Sequence, residues 1–189
     1  MKKNLSEMTF EELGKLFPIV LSDYNPQWAE LYEAEKDSIL NAVGVRNIYA
    51  IHHYGSTAVN GLKAKPTIDI LLEIKGNTDL DALKDALIGI GYEFSWQKHN
   101  PPPHMMLMKG YTTEGYKGQA YHLHVRYKGD WDELLFRDYL RVCPEARQTY
   151  ADLKTELQKQ YQFDREGYTR AKGDFINATI KKAKEYFGG

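Results

Sequence analysis

Tyr54-Gly55-Ser56-Thr57-Ala58-Val59-Asn60-Gly61-Leu62-Lys63-Ala64-Lys65-Pro66-Thr67-Ile68-Asp69-Ile70-Leu71-Leu72-Glu73 is the stretch whose reading decides the fold. It joins the end of one strand, a Gly-Ser turn, a short connection and a second strand in which Asp69 interrupts an apolar run. A turn of this kind leaves backbone N–H groups and a hydroxyl free to hold a phosphate, while a neighbouring carboxylate can hold a divalent cation. Glycine at 55 lets the backbone approach a ligand closely at positive φ, and the Ser56 hydroxyl can bond a phosphate oxygen. Alone, Gly-Ser is an ordinary turn dipeptide. Asp69 adds weight, because an acid in a segment suited to burial needs a cation or hydrogen-bond donors.

Upstream, Thr9 and Glu12 form a capping-box pattern that opens a short helix through Leu13, Leu16 and Phe17, closed by Pro18. Asn25-Pro26 starts a second helix, with Trp28, Leu31, Tyr32, Ile39 and Val43 at helical spacing until Gly44. Residues 48 to 54 and 67 to 74 read as strands. Asp79 caps a helix carrying Leu80, Leu83 and Leu87, ended by the glycines at 89 and 91. Residues 92 to 96, 104 to 109 and 121 to 127 are further expected strands, and Pro101-Pro102-Pro103 imposes an irregular connection between the first two. Beyond Gly129 the period is 3.6, which predicts helices over 131 to 142, 145 to about 161, and 168 to 187. The expected class is α/β (α+β): residues 1–23 an N-terminal appendage with a short helix, and residues 24–189 one domain. Within that domain a mixed core runs to about 129 and a helical end spans 130–187.

Composition narrows the partners. The 189 residues are 42% hydrophobic, enough for one core, and 25 basic against 26 acidic residues give a net charge of -1. Without a global basic field, neither bulk nucleic acid nor an anionic membrane is an expected partner, so a phosphate ligand has to be held locally. No apolar run approaches the roughly 18 residues of a membrane span, and no apolar h-region follows Met1-Lys2-Lys3-Asn4. The single cysteine, Cys143, excludes an intrachain disulfide and a thiolate zinc cluster. A cytoplasmic protein is expected. Met105, Met106 and Met108 read as core filler.

His122 and His124 alternate with Leu123 and Val125, so both imidazoles share one strand face and can bind a metal, a phosphate or a reacting proton. The bland alternative is a hydrogen-bonded histidine pair in a sheet. Lys65 stands just before the second strand. Arg137 and Arg141 fall one helical turn apart and can clamp a phosphate together, or pair with Asp138 and other nearby acids. His52 and His53 point to opposite faces of their strand, so at most one shares the site's side.

His52-His53-Tyr54-Gly55-Ser56-Thr57-Ala58-Val59, Gly61-Leu62, Lys65-Pro66 and Ile68-Asp69 together resemble the signature of the GrpB family, a bacterial group with a nucleotidyltransferase-like fold. Tyr24-Asn25-Pro26-Gln27-Trp28, His122-Leu123-His124-Val125, Phe136-Arg137-Asp138-Tyr139-Leu140-Arg141, and Tyr168, Ala171-Lys172 and Phe175-Ile176 extend the resemblance over roughly residues 24 to 187. It implies a mixed sheet flanked by helices, a Gly-Ser turn that holds a triphosphate, and two acids spaced Asp-x-Asp/Glu on one strand, with a third nearby, that bind magnesium. Here the second position is Leu71. Glu73 is about 13 Å from Asp69 along an extended strand, too far to replace it without a bulge. Basic residues that many family members carry before the His-x-His strand are absent from His104–Met108 and Gly118–Tyr121.

The chemistry this implies is transfer of a nucleotidyl group from a nucleoside triphosphate to an acceptor. Gly55 and Ser56, with Lys65, Arg137 and Arg141, hold phosphates, Asp69 holds the metal, and His122 or His124 is a ligand or general base. Magnesium or manganese is the expected ion, ahead of zinc, although paired imidazoles suit zinc, manganese or iron better than magnesium. The alternative is a non-catalytic nucleotide- or coenzyme A-binding accessory module. Leu71 favours it, as do the related domains that the resemblance places beside dephospho-coenzyme A kinase in some bacteria.

Overall fold

A computed structural model of the protein describes residues 3–97 and 99–188; Met1 and Lys2, where the N-terminus was read for a leader, lie outside them. The strands are β1 (Ile48–Tyr54), β2 (Thr67–Ile74), β3 (Glu93–Trp96), β4 (Met105–Thr112) and β5 (Gly115–Tyr127). The helices are α1 (Phe10–Leu16), α2 (Gln27–Val43), α3 (Leu80–Gly89), α4 (Asp132–Val142), α5 (Pro144–Tyr161), α6 (Arg165–Ala171) and α7 (Gly173–Gly188). One sheet has the order β1-β2-β5-β4-β3, with β2 and β5 parallel and every other pair antiparallel.

Local signals explain most of the boundaries. The Thr9–Glu12 capping box closes in both directions, Asn25 Oδ1 accepts from the Gln27 N–H at 3.0 Å, and Asp79 caps α3 through the Asp81 and Ala82 N–H groups. Two expectations change. β4 and β5 run on into a hairpin through residues 110 to 120, beyond the strands expected over 104 to 109 and 121 to 127. The helix expected over 168 to 187 is two: Asp164 caps α6, and the chain breaks at Lys172 before α7 begins at Gly173.

Period two sorts β2 into two faces. Ile68, Ile70, Leu72 and Ile74 join Tyr121, Leu123 and Val125 of β5 and pack on Trp28, Tyr32 and Ile39 of α2 and Leu83 and Leu87 of α3. Each such aliphatic side chain contributes about 1.5–3 kcal/mol when fully buried. The opposite face carries Asp69, Leu71 and Glu73, beside His122, His124 and Arg126 in register on β5. The helical end packs beyond that face. Val59 and Leu62, just after the Gly-Ser turn, are buried against Leu140, Tyr150, Phe136 and Phe175.

The N-terminal segment is packed onto both parts. The Phe17 ring lies 5.0 Å from those of Tyr111 and Tyr116, and Ile19 is buried with Leu157 and Tyr168. Ser22 forms an antiparallel bridge with Ala64. Among the described residues, no helix is long and apolar enough to cross a membrane.

Candidate functional site

Gly55 ends β1 at φ 70°, and a 3-10 turn over Ser56–Ala58 follows. A Cβ at position 55 would lie 2.3 Å from Asp69 Oδ2, so only glycine allows the turn to press against that carboxylate. Thr57, buried, fixes the turn by donating to the Thr67 carbonyl at 3.3 Å, at the start of β2. The Gly-Ser turn and Asp69 are therefore neighbours in space, Tyr54 being paired with Asp69 across the two strands.

The parallel pairing of β2 with β5 sets Asp69 opposite His122, and Leu71 opposite His124. Asp69, His122 and His124 each offer a ligand atom within 4.8 Å of the others, a geometry that can hold one metal ion. His122 Nδ1 is 3.2 Å from Asp69 Oδ1, and its Nε2 is 2.7 Å from the Tyr111 hydroxyl. Burial pushes His124 down to about 4, which keeps its ring neutral near pH 7, and its Nδ1 is buried without a hydrogen-bond partner. Burial works against the charged form of Asp69, but the His122 hydrogen bond and nearby positive charge outweigh it and hold the carboxyl below its usual range.

Glu73 belongs to a separate arrangement. Its Oε2 is 2.8 Å from His52 Nε2, and its Oε1 accepts from the Gly129 N–H and Trp131 Nε1 at 3.0 Å each. It ties β1 and β2 to the start of α4 and stands outside the Asp69 group. The histidine pair of β1 is resolved likewise. His52 takes Glu73, while His53 turns to the α2 side, stacks on Tyr32 at 4.7 Å and meets Thr57 Oγ1 at 3.0 Å.

Burial, the largest cause, pushes His53 down to about 4, below the ordinary value of 6.5. The unfolded chain thus takes up a proton between pH 6.5 and 4 that the folded state refuses, so stability is full above 6.5 and falls as the pH drops. His53 alone is expected to account for about 2–3 kcal/mol of loss by pH 4. Urea denaturation at pH 7 and pH 4 checks this. His53→Gln should flatten the dependence by that amount, and equal slopes in the two proteins would remove His53 as its source.

The structure holds Arg137 and Arg141 in internal contacts. Arg137 is bidentate to Asp138 and donates through Nη1 to the His53 carbonyl at 2.9 Å. Arg141 donates through Nε and Nη2 to the Ala58 carbonyl and through Nη1 to Asp138. Both brace the 3-10 turn from α4. Lys65 is half-buried, and burial, then repulsion from Arg165 and Lys172, pulls it down to about 7.

Lys154 of α5 belongs to none of the sequence motifs. It is 2% exposed, donates to Ser56 Oγ at 3.1 Å and to the Lys63 carbonyl, and lies 4.7 Å from the centre of the Tyr150 ring. Lys172 enters only through the resemblance, and Tyr111, the partner of His122, lies outside every motif. A lysine at a position of α5 shared with Tyr150 and Leu157 was the available signal, since those residues mark the buried stripe.

A protein-family model described as GrpB protein matches residues 18–182. A UPF0157 protein of Pseudomonas aeruginosa is 38% identical over 84% of this chain and 65% of its own length. A UPF0157 protein of Streptomyces coelicolor is 35% identical over 93% of this chain and 90% of its own. The chain thus spans under two thirds of the Pseudomonas relative's length. A dephospho-CoA kinase of Mycolicibacterium paratuberculosis is 24% identical over 89% of this chain and 47% of its own length. The crystal structure of GrpB from Enterococcus faecalis superimposes with a TM-score of 0.78 and 28% identity, covering 90% of this chain and all of that one. The Cid1 poly(U) polymerase, in a structure with Mg and 3′-dATP, superimposes with a TM-score of 0.52 and 11% identity over 79% of this chain and 49% of that one, a likeness of fold.

Proposed function

We propose that this chain, which belongs to the GrpB family and has a nucleotidyltransferase-like fold, binds a nucleoside triphosphate on the Asp69 face of the sheet and transfers its nucleotidyl group to an acceptor hydroxyl or phosphate with release of pyrophosphate. One observation carries the reading: the Gly55-Ser56 turn, the Asp69–His122–His124 group and the buried Lys154 ammonium meet at one place. The turn and the lysines supply donors for phosphate oxygens. His122, held between Asp69 and the Tyr111 hydroxyl, would either hold the ion or, where it is left free of the ion, take the proton of an acceptor hydroxyl in place of its bond to Tyr111.

The residues fit a divalent ion. One carboxylate and two imidazoles, one of them neutral with an orphaned Nδ1, make a donor set that suits manganese better than magnesium and also suits zinc. Such an ion, when bound, offsets charge on the phosphate under attack. Asp69, His122 and His124 are the residues that would hold it. Leu71 leaves the second acid position empty of oxygen ligands, and Glu73 is engaged with His52, Gly129 and Trp131.

Asp69→Asn tests the proposal. ATP, GTP, CTP and UTP labelled at the α-phosphate are offered with Mn²⁺ in a bacterial extract, and label entering a new product is followed. The wild type should transfer at least about 100-fold faster than the variant, the scale of losing a residue that acts directly on the transferring group, while far-UV circular dichroism stays the same. Equal rates would sink the reading. A second reading, an accessory module for a nucleotide or a coenzyme A-like ligand, is favoured by Leu71 and by the similarity to a dephospho-CoA kinase. It predicts ligand binding with no transfer by either protein.

A further inference from the structure

Strict alternation along β4 would put Lys109 and Tyr111 on one face of the sheet. They stand on opposite faces. Lys109 donates to both carboxylate oxygens of Glu35 on α2, at 2.9 and 3.0 Å, whereas the Tyr111 hydroxyl meets His122 Nε2 at 2.7 Å on the Asp69 side. The register explains the reversal: Met108 pairs with His122 and Lys109 with Tyr121, and the pairing then shifts between Lys109 and Tyr111. Gly110, at φ 87°, sits at the shift, where a Cβ would run into the Gln119 carbonyl oxygen. A bulge of this kind re-aims a side chain, and here it brings a phenol to one nitrogen of one histidine.

Tyr111 is buried, and its ring lies nearly parallel to that of His122, 5.6 Å away at 13°. Phe17, Tyr116 and the Arg165 guanidinium surround it at 5.0, 5.3 and 5.9 Å. The other nitrogen of His122, Nδ1, is 3.2 Å from Asp69 Oδ1. A histidine that ligates a metal through one nitrogen is oriented by the hydrogen bond of the other. We infer that Tyr111 is a positioning residue for the Asp69–His122–His124 group: by occupying Nε2 it leaves Nδ1 as the nitrogen of His122 that takes the ion, and it aims that nitrogen beside Asp69. The proposal rests on the ion-binding part of the preceding reading and not on transfer. A phenol hydroxyl suits the task because it accepts as well as donates. Without an ion, Nδ1 donates to Asp69 and Nε2 accepts from the hydroxyl. With Nδ1 given to the ion, the ring N–H stands at Nε2 and the same hydroxyl accepts it. A carboxylate at position 111 could only accept, and an ammonium only donate.

Zn²⁺ titrated into protein carrying ¹⁵N-labelled histidine tests this, with calorimetry for the affinity and long-range proton–nitrogen spectra for the nitrogen that binds. In the wild type His122 is expected to bind through Nδ1, with Nε2 at the shift of a protonated nitrogen. Tyr111→Phe keeps the ring and its packing and loses only the hydroxyl. The variant should bind Zn²⁺ about 10- to 100-fold more weakly, the scale of losing a partner behind a metal ligand. It should also show a second form of His122 bound through Nε2, a signature that loosened packing alone does not produce. The wild-type spectrum can overturn the proposal by itself, by showing Nε2 on the ion, so the test does not depend on the variant folding. Unchanged affinity in a folded variant would overturn it too, and would leave the ion site standing. Zn²⁺ that moves neither the His122 nor the His124 signals of the wild type would overturn the site and the positioning role together. Absence of nucleotidyl transfer beside the expected spectra would overturn the transfer reading alone.

Discussion

Gly55→Ala is expected to lower stability by about 2–4 kcal/mol and to weaken the Mn²⁺ binding proposed for Asp69 at least tenfold. Two costs add. Alanine at φ 70° and ψ -172°, a backbone region essentially restricted to glycine, costs about 1–3 kcal/mol. The new methyl would also stand 2.3 Å from Asp69 Oδ2 and 3.0 Å from its Cγ, so the carboxylate or the turn has to move. Movement of the carboxylate breaks its approach to His122, and movement of the turn carries Ser56 away from Lys154. Urea denaturation reads the first effect, and the paramagnetic resonance signal of free Mn²⁺ the second. A variant with the wild-type midpoint and wild-type Mn²⁺ affinity would show that the turn does not press on Asp69.

Gly14→Ala is expected to destabilise by about 2–3 kcal/mol, although helix propensity alone predicts about 1 kcal/mol of gain. The sign separates the two effects. Gly14 is buried in α1, and a Cβ there would meet the Phe163 carbonyl oxygen, a backbone atom between α5 and α6, at 1.8 Å. Backbone cannot swing aside as a side chain does, so α1 must lift off. Phe17 would then leave Tyr111 and Tyr116, and Arg165 would lose the Phe17 carbonyl. Thermal unfolding gives the stability change, and limited proteolysis should find earlier cleavage within the first two dozen residues. A variant more stable than the wild type would mean that α1 does not rest on that carbonyl.

Much of the fold was legible because its signals are local. Alternation in 67 to 74 placed Asp69 on the face opposite Ile68 and Ile70, and His122 and His124 on one face of β5, by period alone. Capping residues set the starts of α1 and α3 for the same reason. The hairpin over 110 to 120 was missed because its glycines weaken strand propensity, and cross-strand pairing such as Tyr111 with Tyr116 overrides that loss. The last helix was read as continuous because its periodicity passes through Lys172 and Gly173 without a proline to mark the break.

The sequence by itself determined the class of fold, the faces of its strands and the presence of a Gly-Ser turn followed by a lone strand acid, since all of these depend on residues a few positions apart. Tertiary structure alone decided what stands around that acid. Lys154 meets Ser56 across 98 positions of chain, Arg137 reaches the His53 carbonyl across 84, and Trp131 claims Glu73 across 58. Whether a charge is paired, shielded or left wanting an anion depends on distances between such remote segments and on the water their packing excludes. Neither quantity repeats along the chain, so no period carries it.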